Sequence, residues 1–262
     1  MAQNLKKNFI VDGSAHIDNF LTKKDKESLK NIIHDNFKNE ISLPRSDRFN
    51  IEDINFHKKL IKFRKLKPKK FGNIYDKINL NSKFRSIFYS ESSLKIFARV
   101  LNVSSNQIYV NGFMMRFDVP NDLRNKLDWH QDSSYYMMGY PKFNAGVCWC
   151  AITKNTEKNG TLKFIPGSHL KYIKAKKNKK KDLSSEQYQI TITKTEKEKI
   201  KNLDQDFGDA TLLHMSLKHR SGDNNSQKVR ITIGCRFNDM SKSFNVGKEI
   251  YNYNKKKIEK LL

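Results

Sequence analysis

Leu29, Ile32, Ile33 and Phe37 recur at i, i+3, i+4 and i+8, which places four apolar side chains on one face of a helix. Thr22, just ahead of that run, supplies a side-chain oxygen for the N-cap. A second helical stretch carries Phe84, Ile87 and Phe88, and continues after the serine-rich break "SESS" with Leu94, Phe97 and Leu101. Between these stretches, residues 41–75 hold Pro44, Pro68 and Gly72 without a clean period, which predicts irregular structure. From residue 107 the pattern changes. "QIYVNGFMMRF", "FNAGVCWCAI", "GTLKFIP", "YQITIT", "DATLLHM" and "VRITIGCRF" are short, rich in β-branched and aromatic residues, and separated by Gly, Pro, Asn or Lys. Helices first and many antiparallel strands after predict an α+β chain, mainly β, built on a jelly roll or sandwich. No internal repeat or linker interrupts it, so one domain is expected over 1–262. Its expected parts are a mainly helical 1–105, a β core over 106–240 and a C-terminal extension over 241–262.

Composition narrows this little. With 37% hydrophobic residues, including 17 Phe, the 262-residue chain can fill a sizeable core. No apolar run approaches the length of a membrane span, and "MAQNLKKNFIVDGSAHIDNF" lacks the apolar centre of a signal peptide. Cys148-x-Cys150 sits inside an apolar run and reads as a pair of small strand residues, so a cytoplasmic location is expected. The net charge of +24 invites a nucleic-acid partner, but only 10 of the 51 basic residues are arginine, the residue whose planar fork suits phosphates and bases. The clusters at 62–70 and 174–181 read as solvated loops, the second inside a lysine-rich flap over 170–187 that has steering of an anionic substrate as its alternative role.

The candidate chemistry begins with two H-x-D pairs. A His and an Asp two residues apart share a face of an extended backbone, and together make two-thirds of the 2-His-1-carboxylate triad of non-haem iron sites. His16 and Asp18 lie before a helix in a segment without strand character and read as a loop pair. His130 and Asp132, in "WHQD", enter the strand-rich half. A third ligand must come from His169, His214 or His219. The stretch 208–237 favours His219, followed by Ser221 two residues on and by Arg230 eleven residues on, at the start of the last strong strand.

Four blocks in order, "WHQD" (129–132), "NGTLKFIPGSH" (159–169), "GDATLLH" (208–214) and "HRSGDNNSQKVR" (219–230), resemble the phytanoyl-CoA dioxygenase-like branch of the Fe(II)/2-oxoglutarate oxygenases, over about residues 107–237. The resemblance implies a double-stranded β-helix (a jelly roll of cupin-like form) with N-terminal helices packed on it. It implies Fe(II) held by His130, Asp132 and His219, the distal carboxylate of 2-oxoglutarate held by Arg230 with Ser221 beside it, and O2 as oxidant. The implied reaction is oxidative decarboxylation to succinate and CO2 coupled to hydroxylation of a small-molecule substrate. Related halogenases lack the carboxylate ligand, so Asp132 points to hydroxylation.

Trp149 matches a position that lines the co-substrate pocket in the family and is equally a strand aromatic. Tyr135, Tyr136 and Tyr140 follow the Asp132 ligand and are candidates for substrate contact. His169 is expected to shape the loop after its strand. His214, five residues before His219, faces the other way on a regular strand and is expected in the core or behind the ligands. One departure concerns a lysine common on the strand before the ligands, replaced here by Met115 or Arg116. Two other function classes stay open: a nucleic-acid-binding oxidative dealkylase that uses the basic surface, and a non-catalytic jelly-roll binding module.

Overall fold

The computed structural model describes residues 2–122, 125–135, 144–178 and 187–241. The first part of the chain is a helical layer: α1 (Ala2–Asp12), a short strand β1 (Ser14–Ile17), α2 (Lys23–Ile41), α3 (Ile54–Leu66), α4 (Pro68–Asn79), α5 (Ser82–Ser86) and α6 (Glu91–Leu101). Thr22 caps α2 as the sequence suggests. Its hydroxyl accepts the Asp25 amide at 3.1 Å while the Asp25 carboxylate accepts the Thr22 amide at 3.0 Å. Leu29, Ile32, Ile33 and Phe37 are buried on one face. Residues 41–75, expected to be irregular, are instead largely helical. Asp53 caps α3 through the amides of Asn55 and Phe56, and Pro68 opens α4 at the one turn where its missing N–H costs nothing. Pro68 therefore marks a boundary between two helices rather than a break in both.

The strands are β2 (Ile108–Asp118), β3 (Ala145–Ala151), β4 (Lys163–Phe164), β5 (Lys176–Asn178), β6 (Gln187–Gln189), β7 (Lys201–Asn202), β8 (Ala210–His214), β9 (His219–Arg220) and β10 (Arg230–Asp239), with one helical turn α7 (Lys194–Lys197) before β7. Among the described residues they form an antiparallel sheet in the order β1-β8-β3-β10-β2, a smaller one in the order β7-β4-β9, and the hairpin β5-β6. More of the described residues are helical than extended, so the chain is mixed rather than mainly β. The 170–187 segment carries β5 and the first residue of β6 rather than a plain loop, while Lys179, Lys180, Lys181, Tyr136, Tyr140 and the extension over 242–262 lie outside the described residues. No helix among them is long and apolar enough to cross a membrane.

Strand β10 organises both faces of the large sheet. Ile231, Ile233, Cys235 and Phe237 join the helical layer in one apolar core, where Phe97 of α6 stacks on Phe237 at 4.5 Å and Phe37 of α2 meets Phe117 of β2 at 5.4 Å. The alternate residues Arg230, Thr232, Gly234, Arg236 and Asn238 face the other way and are buried all the same. On that inner side Ala145, Val147, Trp149 and Leu213 pack with Leu162 and Phe164 of the small sheet in a second apolar cluster. A bulge sets the register of β10 on β2, and Gly112, at φ +59°, lies in it. A Cβ there would run into the Arg236 guanidinium, so glycine makes the berth for that side chain.

His57 ties α3 to the start of β10. Its Nδ1 accepts the Val229 amide at 3.2 Å, one residue before Arg230, and its ring is fully buried. Burial pushes its pKa down to about 4. The unfolded chain, with an ordinary imidazole near 6.5, then binds the extra proton first, so stability falls as pH drops from about 6.5 towards 4. The loss is expected to reach up to about 3 kcal/mol at the acid end of that window. Thermal melts of wild type and His57→Gln across pH 4 to 7 check this: the variant's melting temperature should depend less on pH, and an equal dependence refutes the assignment.

Candidate metal centre

A single antiparallel bridge builds the centre. The His130 amide donates to the His219 carbonyl and the His219 amide to the His130 carbonyl, both at 3.0 Å, so the two imidazoles lie side by side with ring centroids 4.2 Å apart. Asp132, at the start of a 3-10 turn, turns its carboxylate onto the same spot. Its Oδ1 is 3.3 Å from His130 Nε2 and 3.7 Å from His219 Nε2. All three residues are buried, and their candidate ligand atoms lie within 4.8 Å of one another.

Both ring tautomers follow from the backbone. His130 Nδ1 lies 2.7 Å from the Asp128 carbonyl and His219 Nδ1 2.9 Å from the Leu217 carbonyl. A carbonyl can only accept, so each Nδ1 carries the proton and each Nε2 presents a lone pair. Burial, with His130 alongside, pushes His219 down to about 4, so it is neutral at pH 7. Burial works to raise the Asp132 carboxyl, but His130, His219 and Arg236 outweigh it and hold it well below the usual carboxylate range. Two imidazole Nε2 atoms and an ionised carboxylate thus converge in a buried space, a donor set that suits a divalent metal.

A second polar cluster lies on the inner face of β2 and β10. Arg230, 1% exposed, donates from Nη2 to Asp118 at 2.6 Å and from Nη1 to the Gly160 carbonyl. Arg116 donates to the other Asp118 oxygen at 3.0 Å and to the Asn125 carbonyl at 2.6 Å, and its guanidinium stands over the Trp149 ring at 5.3 Å. Ser221, directly after the strand that carries His219, lines the same cavity of about 200 Å³ as Arg116, Asp118, Gly160 and Arg230. Among the described residues, His130 Nε2, Arg116 Nε, Arg230 Nε, Thr232 Oγ1 and Trp149 Nε1 are buried without a hydrogen-bond partner. These five belong to the ligand bridge or to the inner face of the sheet, while His57 Nε2, Asn155 Oδ1 and His169 Nδ1 are buried and unpartnered elsewhere. Buried polar atoms are almost always paired, so such a group calls for a ligand.

Of the other residues singled out in the sequence, Trp149 faces the inner cluster and Tyr135 sets its ring edge-on to His130 at 5.7 Å. His214 sits apart from the triad, against Phe9 and His169, with its Nδ1 accepting the Ser216 amide. His169 meets the Ile10 carbonyl of α1 at 3.0 Å. Met115 points into the helical core, so it is Arg116 that occupies the inner face. His16 and Asp18 correct the expectation of a loop pair: His16 is in β1, paired with Thr211, and its Nε2 lies 3.2 Å from Asp18 and 3.7 Å from Asp209. That group is mostly exposed. Sequence reading missed Asp118, Thr232 and Arg236. Their signal was available: polar residues at every second position of two otherwise apolar strands.

The phytanoyl-CoA dioxygenase (PhyH) family model matches residues 9–232. No curated protein matches the chain. Similar solved structures include EctD from S. alaskensis with 2-oxoglutarate and 5-hydroxyectoine, at 16% identity and a TM-score of 0.63 over 92% of this chain and 77% of that one. The non-heme monooxygenase ThoJ matches at 20% identity and a TM-score of 0.57 over 90% of this chain and 77% of that one. The non-heme alpha ketoglutarate dependent epimerase SnoN from nogalamycin biosynthesis matches at 13% identity and 0.57, over 91% and 82%. At these identities the likeness is one of fold. The family match spans most of the sequence, and the chain belongs to the phytanoyl-CoA dioxygenase family.

Proposed function

We propose that the protein is an Fe(II)- and 2-oxoglutarate-dependent dioxygenase that hydroxylates a small-molecule substrate, with release of succinate and CO2. One observation carries the reading: three lone-pair donors converge on one buried point, while unpartnered N–H and O–H groups line the inner face beside it. The first arrangement suits a cation and the second an oxygen-rich anion. His130, Asp132 and His219 would hold the iron, and Arg230 with Ser221 the distal carboxylate of the keto acid, while the Trp149 ring walls that side. Iron bound there supplies the chemistry that couples decarboxylation of the keto acid and reduction of O2 to oxidation of the substrate. The protein's own part is to bind and to exclude. The backbone bridge fixes both imidazoles, Asp132 keeps an ionised carboxylate at the metal, and burial on all sides keeps bulk water away.

The two sheets around the inner cluster are read as the halves of a double-stranded β-helix. Tyr135, edge-on to His130, is the described aromatic best placed to meet substrate. The EctD structure, with 2-oxoglutarate and 5-hydroxyectoine, agrees with a small-molecule reaction of this kind.

Metal binding tests the ligand set directly. Titration with Fe(II) under anaerobic conditions should show one site in wild type, none in His219→Ala, and an intact site in His214→Ala, whose ring lies against Phe9 instead. Loss of metal in His214→Ala with retention in His219→Ala would reverse the assignment. For the co-substrate, Arg230→Ala removes a charge-assisted contact of a few kcal/mol. The concentration of 2-oxoglutarate needed to develop the metal-to-ligand charge-transfer band should rise roughly a hundredfold, about 2.7 kcal/mol, with iron affinity unchanged. An unaltered 2-oxoglutarate titration in that variant excludes the role.

A further inference from the structure

The arginine assigned to the co-substrate is already engaged by a carboxylate of the protein itself. Asp118 puts one oxygen 2.6 Å from Arg230 Nη2 and the other 3.0 Å from Arg116 Nη2; both arginines are buried, the Asp118 side chain is 12% exposed, and all three line the same cavity. Burial works to raise the Asp118 carboxyl, but the two guanidinium groups outweigh it and hold it below the usual carboxylate range, so the anion persists at neutral pH. Both terminal nitrogens of Arg230 are engaged, Nη2 by Asp118 and Nη1 by the Gly160 carbonyl. On both arginines the Nε–H is buried and without a partner. Two guanidinium groups against one carboxylate leave this cluster one positive charge in excess, room for a single further anionic group.

We propose that Asp118 is an internal competitor for the distal carboxylate of the keto acid, and that this carboxylate is read by Arg116 and Arg230 together rather than by Arg230 alone. The proposal rests on the oxygenase reading given above. A carboxylate that reaches the Nε edges, or displaces Asp118 from one of them, meets the like charge of Asp118 in a poorly screened space. Asp118 thereby weakens co-substrate binding while keeping two buried cations satisfied. Arg116 carries both duties, because its Nη2 holds Asp118 and its ring-stacked guanidinium faces Trp149.

The worth of the distal carboxylate is measured by comparing 2-oxoglutarate with 2-oxopentanoate, which lacks it. Both are titrated anaerobically into the Fe(II)-loaded protein, read by the charge-transfer band and by the ligand-induced rise in melting temperature. Asp118→Asn keeps a hydrogen-bond acceptor without the charge. It should tighten 2-oxoglutarate about tenfold, leave 2-oxopentanoate within twofold, and lower the melting temperature of the ligand-free protein. Arg116→Gln, which leaves Asp118 to Arg230 alone, should weaken 2-oxoglutarate about tenfold and again spare 2-oxopentanoate. If Asp118→Asn binds 2-oxoglutarate equally or more weakly, Asp118 only orients Arg230 and the competitor role is overturned. Should Asp118→Asn fail to fold, Arg116→Gln decides: an unchanged preference between the two acids overturns the proposal. If wild type binds neither keto acid, the oxygenase reading itself falls and the proposal with it, a result distinct from either of the others.

Discussion

Two backbone hydrogen bonds between His130 and His219 fix the geometry on which the rest of the site depends. Residues 89 positions apart are held as a directly opposed pair, so their imidazoles meet without any side-chain adjustment. The two carbonyls that receive Nδ1 then leave both Nε2 lone pairs aimed inward, and the 3-10 turn after Gln131 brings Asp132 to the same point. Neither histidine could be moved by one residue without turning its side chain to the opposite face. His214, on the separate strand β8, lies instead against Phe9 and His169, and His219 needs only the backbone of its short strand to be placed.

Around this point the protein buries an unusual amount of charge. Arg116, Arg230 and Arg236 share the inner face with Asp118, while Arg236 Nη2 lies 3.9 Å from Asp132. Isolated buried charges are costly, and these persist because each lies near an opposite charge or accepts from, or donates to, backbone. The apolar outer face of the same strands supplies the compensating stability: Ile231, Ile233 and Phe237 are fully buried against helices that the N-terminal third provides. The helical layer is thus the reason that a sheet with a polar inner face can exist here.

The parts of this arrangement that follow short-range rules were legible in the sequence. The face of α2, the strand character after residue 107 and the four ordered blocks led to the family, and the H-x-D pair with its distal histidine led to one buried cluster. What could not be read was set by partners distant in the chain. The stretch 41–75 forms helices because Phe56, Leu60, Phe63 and Phe71 find Phe37 and Phe117 to pack on, although their local period is broken by Pro68 and Gly72. His16 and Asp18 have no strand signal of their own; β1 exists because β8 offers it an edge. Asp118 looked like one acidic residue among many until the register with Arg230 placed the two opposite each other.

The lysine-rich flap shows how local composition and tertiary fixation can disagree. By composition it reads as a solvated loop, yet its described ends are bound to the strand that carries the ligands. Gln131, between His130 and Asp132, donates to the Lys171 carbonyl and accepts the Ile173 amide at 2.9 Å each. On the far side, Gln189 donates to Asp128, the Ile190 amide donates to the Trp129 carbonyl, and the Tyr188 amide donates to the Tyr135 hydroxyl. Tyr188 also meets Tyr135 ring to ring at 5.0 Å, and Tyr135 meets His130. The hairpin is therefore registered to His130 through a short chain of contacts, and Lys177, over the Tyr188 ring at 5.7 Å, sits at its end. A charge held at a fixed place beside a buried site acts on what enters in a way that a charge on a free loop does not, since its distance to the site is not averaged away. The lysine excess of the chain explains why lysines are there; the two anchors explain why those nearest the hairpin's base have a defined position relative to His130 and Asp132.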